Sequence, residues 1–156
     1  MRVFAAVSGR TYTAGVASSE CAFCRVVAGE LPSTVIAEEE RAIAFMDVLP
    51  ATEGHLLVVP RTHTRDLLSA EPADLAACVL LAQRMARLLR DRLGASGVNL
   101  VQSSGAAAWQ TVFHLYLHVV PRYPGDPCRL PWIPSHGDPA KIAAAAARLT
   151  SDEPLT

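Results

Sequence analysis

Two groups of side chains in this sequence could do chemistry. The first is His114-Leu115-Tyr116-Leu117-His118, in which two imidazoles and a phenol alternate with leucine. On an extended strand, positions i, i+2 and i+4 face the same way. His114, Tyr116 and His118 are therefore expected to project together, with Leu115, Leu117 and Val119 turned to the core. That is the pattern of a strand with a working face, although a polar face that merely meets solvent gives the same alternation. Gln110 and Thr111 just upstream favour the working face.

The second group is Cys21-Ala22-Phe23-Cys24. Its spacing suits a zinc knuckle, a redox pair or two core thiols. A redox pair of the thioredoxin kind sits in a βαβ context, which this chain lacks. Structural zinc takes four nitrogen or sulfur ligands in a tetrahedron, so two histidines would have to complete the set. The candidates are His55, His63, His114, His118 and His136, and the spacing does not choose among them. Cys78 falls within a long helical pattern and reads as a core thiol. Cys128 and His136 lie in an irregular stretch and receive no role.

The elements that must position these groups follow along the chain. Residues 1–20 are small and polar without sustained periodicity, and read as a flexible extension. After Gly29 and Pro32 come two short strands, Thr34–Ala37 and Ala42–Met46, joined by the charged residues 38–41 as a hairpin. Pro50 and Gly54 mark Asp47–Gly54 as a loop. It leads into the apolar run His55–Val59, a central strand closed by Pro60. A long helix follows, with Pro72 suited to its first turn. Leu75, Val79, Ala82, Ala86, Leu89 and Leu93 recur at helical spacing, and Gly94 supplies the stop. Arg84, Arg87 and Arg90 lie largely off that stripe, on a solvated face. Val98–Val101 is the next strand, 103–108 a turn of small residues, and Thr111–Val120 a strand up to Pro121. Residues 122–139 are rich in Pro and Gly, and a short helix through Ala143–Leu149 completes a single domain over 21–150, with 151–156 as a tail. The class is α+β, with a mainly antiparallel five-stranded sheet, one long helix and a short C-terminal helix.

Composition narrows the function classes. A chain of 156 residues is one domain. Hydrophobic residues at 51% and charged ones at 19% argue against disorder and against a coiled-coil rod. The formal net charge of -1 makes no electrostatic case for nucleic acid as a partner. No apolar run approaches the ~18 residues that span a bilayer. The N-terminal patch Val3–Val7 is cut short by Ser8-Gly9-Arg10, against the run of about 7–15 apolar residues of a signal peptide. With the cysteine usage, these features place the protein in the cytoplasm, with neither a membrane nor a nucleic-acid partner.

Two separate blocks carry a resemblance to a known family. Trp109-Gln110-Thr111-Val112-Phe113-His114-Leu115-Tyr116-Leu117-His118-Val119-Val120-Pro121-Arg122 resembles the signature of the histidine-triad (HIT) superfamily: a Gln, then alternating His positions, two apolar residues and often Pro-Arg. Upstream, Phe45-Met46-Asp47 and Gly54-His55-Leu56-Leu57-Val58-Val59-Pro60-Arg61-Thr62-His63 look like the family's first half. The resemblance covers about residues 21–123. It implies a HIT-like fold, a homodimer, and binding of a purine nucleotide or nucleoside phosphoramidate, with enzymes of the family acting at a nucleoside α-phosphate through a covalent nucleotidyl-histidine. It also implies a structural zinc on Cys21, Cys24, His63 and His114. Asp47 matches the ribose-binding acid in a pocket flanked by Phe45 and Val48, and His55 and Gln110 match polar groups near the phosphates. His118 is the last triad position, and Ser103, Trp109 and Thr111 complete the implied nucleotide contacts.

The sequence departs from that pattern at the position of the nucleophile. Where the family keeps its middle histidine, this chain has Tyr116. A phenol holds its proton at neutral pH, where an imidazole does not, so Tyr116 would need an adjacent base, and His118 is the conceivable one. Ser103 stands where the family often has Asn, and Trp109 where it has Gly. The implied catalytic set is thus Tyr116, His118 and Gln110. The resemblance leads to a nucleotide hydrolase or transferase by descent. The alternatives are a nucleotide-binding module that lost its chemistry, and a zinc-stabilised interaction domain.

Overall fold

Antiparallel pairing builds the sheet in a computed structural model that describes residues 20–129 and 133–151. The expected extension lies outside the described residues except for Glu20, and so does the tail except for Ser151. β1 (Val35–Glu38) and β2 (Ala42–Met46) form the hairpin, and β3 (Leu56–Pro60) pairs with β2. β5 (Leu117–Arg122) inserts between β3 and β4 (Gly97–Gln102), giving the order β1-β2-β3-β5-β4 with every neighbouring pair antiparallel. The class is the expected α+β. β3 is buried along its whole length because it has partners on both sides and cover on both faces.

The alternation of strand side chains sorts the core into two layers. Ala42, Ala44, Leu56, Val58, Leu117 and Val119 meet the long helix α2 (Pro72–Leu93). Ile43, Phe45, Leu57, Val59 and Tyr116 face the other way and pack with Phe23 and Val26 of a short helix, α1 (Ala22–Val27). Each large apolar side chain so buried contributes about 1.5–3 kcal/mol, and on the second layer that burial also shapes the site. Among the described residues no helix is long and apolar enough to cross a membrane.

Pro72 opens α2 and Gly94 closes it in the left-handed conformation at φ 67°, as the punctuation predicts. The buried line is different from the expected one. It runs Asp74, Cys78, Leu81, Ala82, Met85 and Leu89, whereas Val79 and Leu93 are exposed. Asp74 belongs to the line because Arg41, from the hairpin turn, meets its carboxylate at 2.6 Å, and a paired charge can be buried. Burial, with Asp74 beside it, pushes the Cys78 thiol up to about 12, so it is an inert core thiol.

Three further expectations are corrected. The last strand begins at Leu117, not Thr111, and continues through Pro121 to Arg122. Residues before it leave the ladder: the Leu115 N–H bonds the Thr64 carbonyl at 2.6 Å and the His114 N–H bonds the Val112 carbonyl at 2.9 Å. Helix α1 has no counterpart in the sequence reading, because six residues carry too little periodicity. The C-terminal helix, α3 (Pro139–Leu149), starts four residues early, where Asp138 accepts the Ala140 N–H at 2.9 Å, and all of its residues are exposed rather than packed on the domain.

Candidate functional site

β3 delivers functional groups at both of its ends. At its start, the loop 47–55 closes back on itself through the Asp47 N–H to the His55 carbonyl and the His55 N–H to the Thr52 carbonyl, both 3.1 Å. Gly54 permits this closure. Its φ is +85°, and a Cβ there would stand 2.6 Å from Leu93 Cδ1 and 3.0 Å from Leu89 Cδ2 of α2. At the other end the chain turns after Pro60 towards His63. At about 3.3 Å per residue, the strand holds the two ends roughly 15 Å apart.

At the Pro60 end, Cys21 and Cys24 of the α1 turn meet His63 and His114, their ligand atoms all within 4.8 Å of one another. Cys24 Sγ lies 3.2 Å from His63 Nδ1 and 3.6 Å from His114 Nδ1, and Cys21 Sγ lies 3.5 Å from His114 Nδ1. A tetrahedral ion with bonds of about 2.3 Å to sulfur and about 2.05 Å to nitrogen requires S···N near about 3.5 Å, so the donors fit. The Pro60 carbonyl lies 3.0 Å from His114 Nε2. It fixes the ring proton there and leaves Nδ1 free to ligate. Burial takes the His114 pKa down to about 4 despite that hydrogen bond, so the ring is neutral, as a ligand must be. Four protein donors would complete a tetrahedron around an ion held there, the arrangement of a structural centre without an open catalytic position. The fold thus brings together the four residues that the resemblance implied, where spacing alone left the histidines open.

At the other end Asp47, His55 and His118 converge. The Ala51 N–H donates to His55 Nδ1 at 3.0 Å, so the neutral ring carries its proton on Nε2. That proton is directed at His118 Nδ1, 2.9 Å away, and His118 in turn holds its own proton on Nε2. Asp47 Oδ2 lies 3.5 Å from His55 Nε2 and 3.8 Å from His118 Nδ1, while its Oδ1 accepts the Leu49 N–H at 2.9 Å. Burial lowers the pKa of both rings, against the raising influence of Asp47, and His55 lowers that of His118 further. The same orientation disfavours a metal here, since ligation through His55 Nε2 would displace the proton that Ala51 keeps on that atom.

The remaining residues of the implied pocket divide by exposure. Phe45 is buried in the layer under α1, whereas Val48 stands 86% exposed. Gln110 is buried and its amide is turned wholly onto backbone. Nε2 donates to the carbonyls of Arg65 at 2.6 Å and Val112 at 3.1 Å, and Oε1 accepts the Gly105 N–H at 2.7 Å. It braces the turn 105–110. Trp109 leaves that turn at φ 67°, the sole non-glycine at positive φ among the described residues, with its side chain largely in solvent. Ser103 is half-buried, its carbonyl accepting from Gln102 Nε2, and Thr111 is exposed.

Tyr116 is buried, with its ring 5.0 Å from that of His118 and 5.3 Å from that of Phe23. Its hydroxyl lies 3.3 Å from Thr111 Oγ1 and accepts the Thr111 N–H at 3.5 Å. Phe23 also touches His114, at 5.9 Å between ring centres, so His114, Tyr116 and His118 line one side of the segment even though only the last belongs to the strand. Phe23 and the Ala51 N–H have no place in the sequence reading. Phe23 is an unremarked residue inside the Cys-x-x-Cys spacing, and a backbone N–H leaves no mark in a sequence.

The HIT domain pattern matches residues 28–125. A HIT-like protein of Mycoplasma genitalium is 45% identical over 106 residues, 68% of this chain and 75% of that protein. The solved structure of a Zn-bound histidine triad family protein from Mycobacterium smegmatis is 41% identical, with 86% of this chain and 98% of that chain covered at a TM-score of 0.68. The structure of a hypothetical histidine triad nucleotide-binding protein from Sulfolobus tokodaii is 27% identical, with 83% and 88% covered and a TM-score of 0.65. The matched region runs from the end of α1 through the hairpin, β3, α2 and the His114–His118 segment, and the chain belongs to the HIT domain family.

Proposed function

We propose that this protein binds a nucleoside phosphate at the Asp47–His55–His118 end of the sheet, and that Tyr116 closes the covalent route a middle imidazole offers. The orientation of the histidine pair carries this reading. His118 Nδ1, the atom that could take the phenol proton, already receives the proton of His55, and the Tyr116 hydroxyl has Thr111 as its partner. Tyr116 therefore has no base. His118 Nε2–H remains a donor for a phosphate oxygen, Asp47 an acceptor for ribose hydroxyls, and Gln110 a positioning residue for the turn beside the phosphates. Family membership and the nucleotide binding named for the Sulfolobus protein support the same ligand class. The metal at Cys21, Cys24, His63 and His114 is read as zinc from its two thiolates and two imidazoles; bound there it cross-links α1 to the segments flanking β3 and β5.

A second reading, hydrolysis at the α-phosphate, is favoured by the retained His118 proton. Water would attack phosphorus, the bond to the leaving amine would break, and His118 would hand its Nε2 proton to that amine while recovering one from water. The test is AMP binding and adenosine 5′-phosphoramidate turnover by the wild type, Tyr116→His and Tyr116→Phe. We expect AMP binding by all three, and turnover at least about 100-fold faster in Tyr116→His, a modest gain beside the loss caused by removing a nucleophile. Wild-type turnover kept in Tyr116→Phe would favour water attack, and turnover lost in Tyr116→Phe would favour the tyrosine as nucleophile. No AMP binding by any of them overturns the proposal.

A further inference from the structure

Phe23 stands between the two ends of β3. It lies inside the ligand pair Cys21 and Cys24, and its ring meets three others edge-on: His114 of the metal centre at 5.9 Å, Tyr116 at 5.3 Å and Phe45 at 5.6 Å. The last two belong to one buried wall, in which the Tyr116 ring lies beside His118. Helix α1 has only six residues, and Cys21 makes no side-chain cap for it. A helix so short has no stability of its own, so its position depends on the packing of Phe23 and Val26 and on what holds the two sulfurs to His63 and His114. Thiols are weak hydrogen-bond partners, whereas ligation by thiolates is strong. A metal held by those sulfurs would therefore set how firmly Phe23 presses on the wall.

We propose that Phe23 is a positioning residue that couples the metal centre to the nucleotide site. With metal bound, α1 seats Phe23 against the ring of Tyr116 and fixes that ring against His118 and Thr111. Without it, α1 loosens and the wall loses its backing. Linkage makes the effect reciprocal: metal tightens nucleotide binding, and nucleotide tightens metal binding by the same factor. This inference rests on the nucleotide-binding reading above.

The experiment measures AMP affinity by calorimetry for the full chain, zinc-loaded and zinc-stripped, in the wild type, Phe23→Leu and Phe23→Met. Far-UV circular dichroism checks the fold, and the assigned Tyr116 ring resonances are followed in parallel. Stripping zinc should weaken AMP binding by about tenfold in the wild type, within the usual range of coupling, and shift the Tyr116 resonances. Phe23→Leu should keep its zinc, bind AMP about as weakly as the stripped wild type, and change less than about twofold on stripping, with the Tyr116 shift gone. The flexible methionine should fall between. Equal AMP affinity with and without zinc, an undiminished zinc dependence in both variants, or global unfolding on stripping would overturn the coupling. Absence of AMP binding by the zinc-loaded wild type sinks the nucleotide reading and the nucleotide half of the coupling. The Tyr116 resonances then still decide whether metal reaches the wall through Phe23.

Discussion

A single backbone N–H, that of Ala51, decides what His55 and His118 can do. It holds the His55 proton on Nε2 and so sets the direction of the pair. Because burial is the largest influence lowering both pKa values below the ordinary 6.5, the unfolded chain takes up these protons before the folded one does. Stability from the pair is therefore fully present above about pH 6.5 and is lost as the pH falls through the lower folded values. Urea unfolding at fixed free zinc between pH 8 and pH 5 should show the midpoint falling with pH, more steeply in the wild type than in His118→Gln. An equal slope in the variant, or a midpoint rising as pH falls, would contradict the assignment. The paired histidine types are visible in the sequence, but their proton positions depend on an amide four residues away along a folded loop.

Elements with local causes were legible, and those with distant causes were not. α2 begins at Pro72 and ends at Gly94 because proline and glycine act on their own backbone. β5 starts six residues later than alternation implies, because His114 turns to Cys21, Cys24 and His63 and Leu115 bonds to Thr64. The turn Ala106–Ala108 shows the same contrast, since nothing adjacent in sequence requires Trp109 to adopt φ 67°. The requirement comes from across the fold: Gln110 Nε2 donates to the carbonyl of Arg65, 45 residues away, while its amide also ties Val112 and Gly105, so the chain must reverse at Trp109. A left-handed conformation costs a non-glycine residue about 1–2 kcal/mol, and the exposed indole offers little packing in return. Trp109→Gly should then raise stability by about 0.5–1 kcal/mol, allowing for the entropy glycine loses on folding, as a higher urea midpoint would show. A fall of that size instead would mean that the indole packs in the native state.

For the molecule as a whole, the edges of the sheet are β1, which carries the acid Glu38, and β4, and β4 is the less protected of the two. It carries no lysine, proline or acid to protect it, and Leu100 and Val101 are 49% and 44% exposed. An unprotected apolar edge invites a second strand, which supports the homodimer implied by the resemblance. Light scattering at micromolar concentration should give twice the chain mass of 16.6 kDa, and Leu100→Lys should weaken association by at least about tenfold through lost apolar burial. A monomeric wild type would refute this. The sequence alone established the class, the strands β1 to β4, the long helix and the residue types of both clusters, because periodicity, turn residues and side-chain chemistry are local properties. Spacing left five histidines open and the family resemblance pointed to His63 and His114, but their meeting with Cys21 and Cys24, the tautomers of His55 and His118, the rotation of the α2 stripe around Asp74 and the seat of Phe23 came only from the tertiary structure. Each depends on a partner that only folding brings within bonding distance, whether far away in the chain or, as for Ala51 and His55, across a loop that must close first.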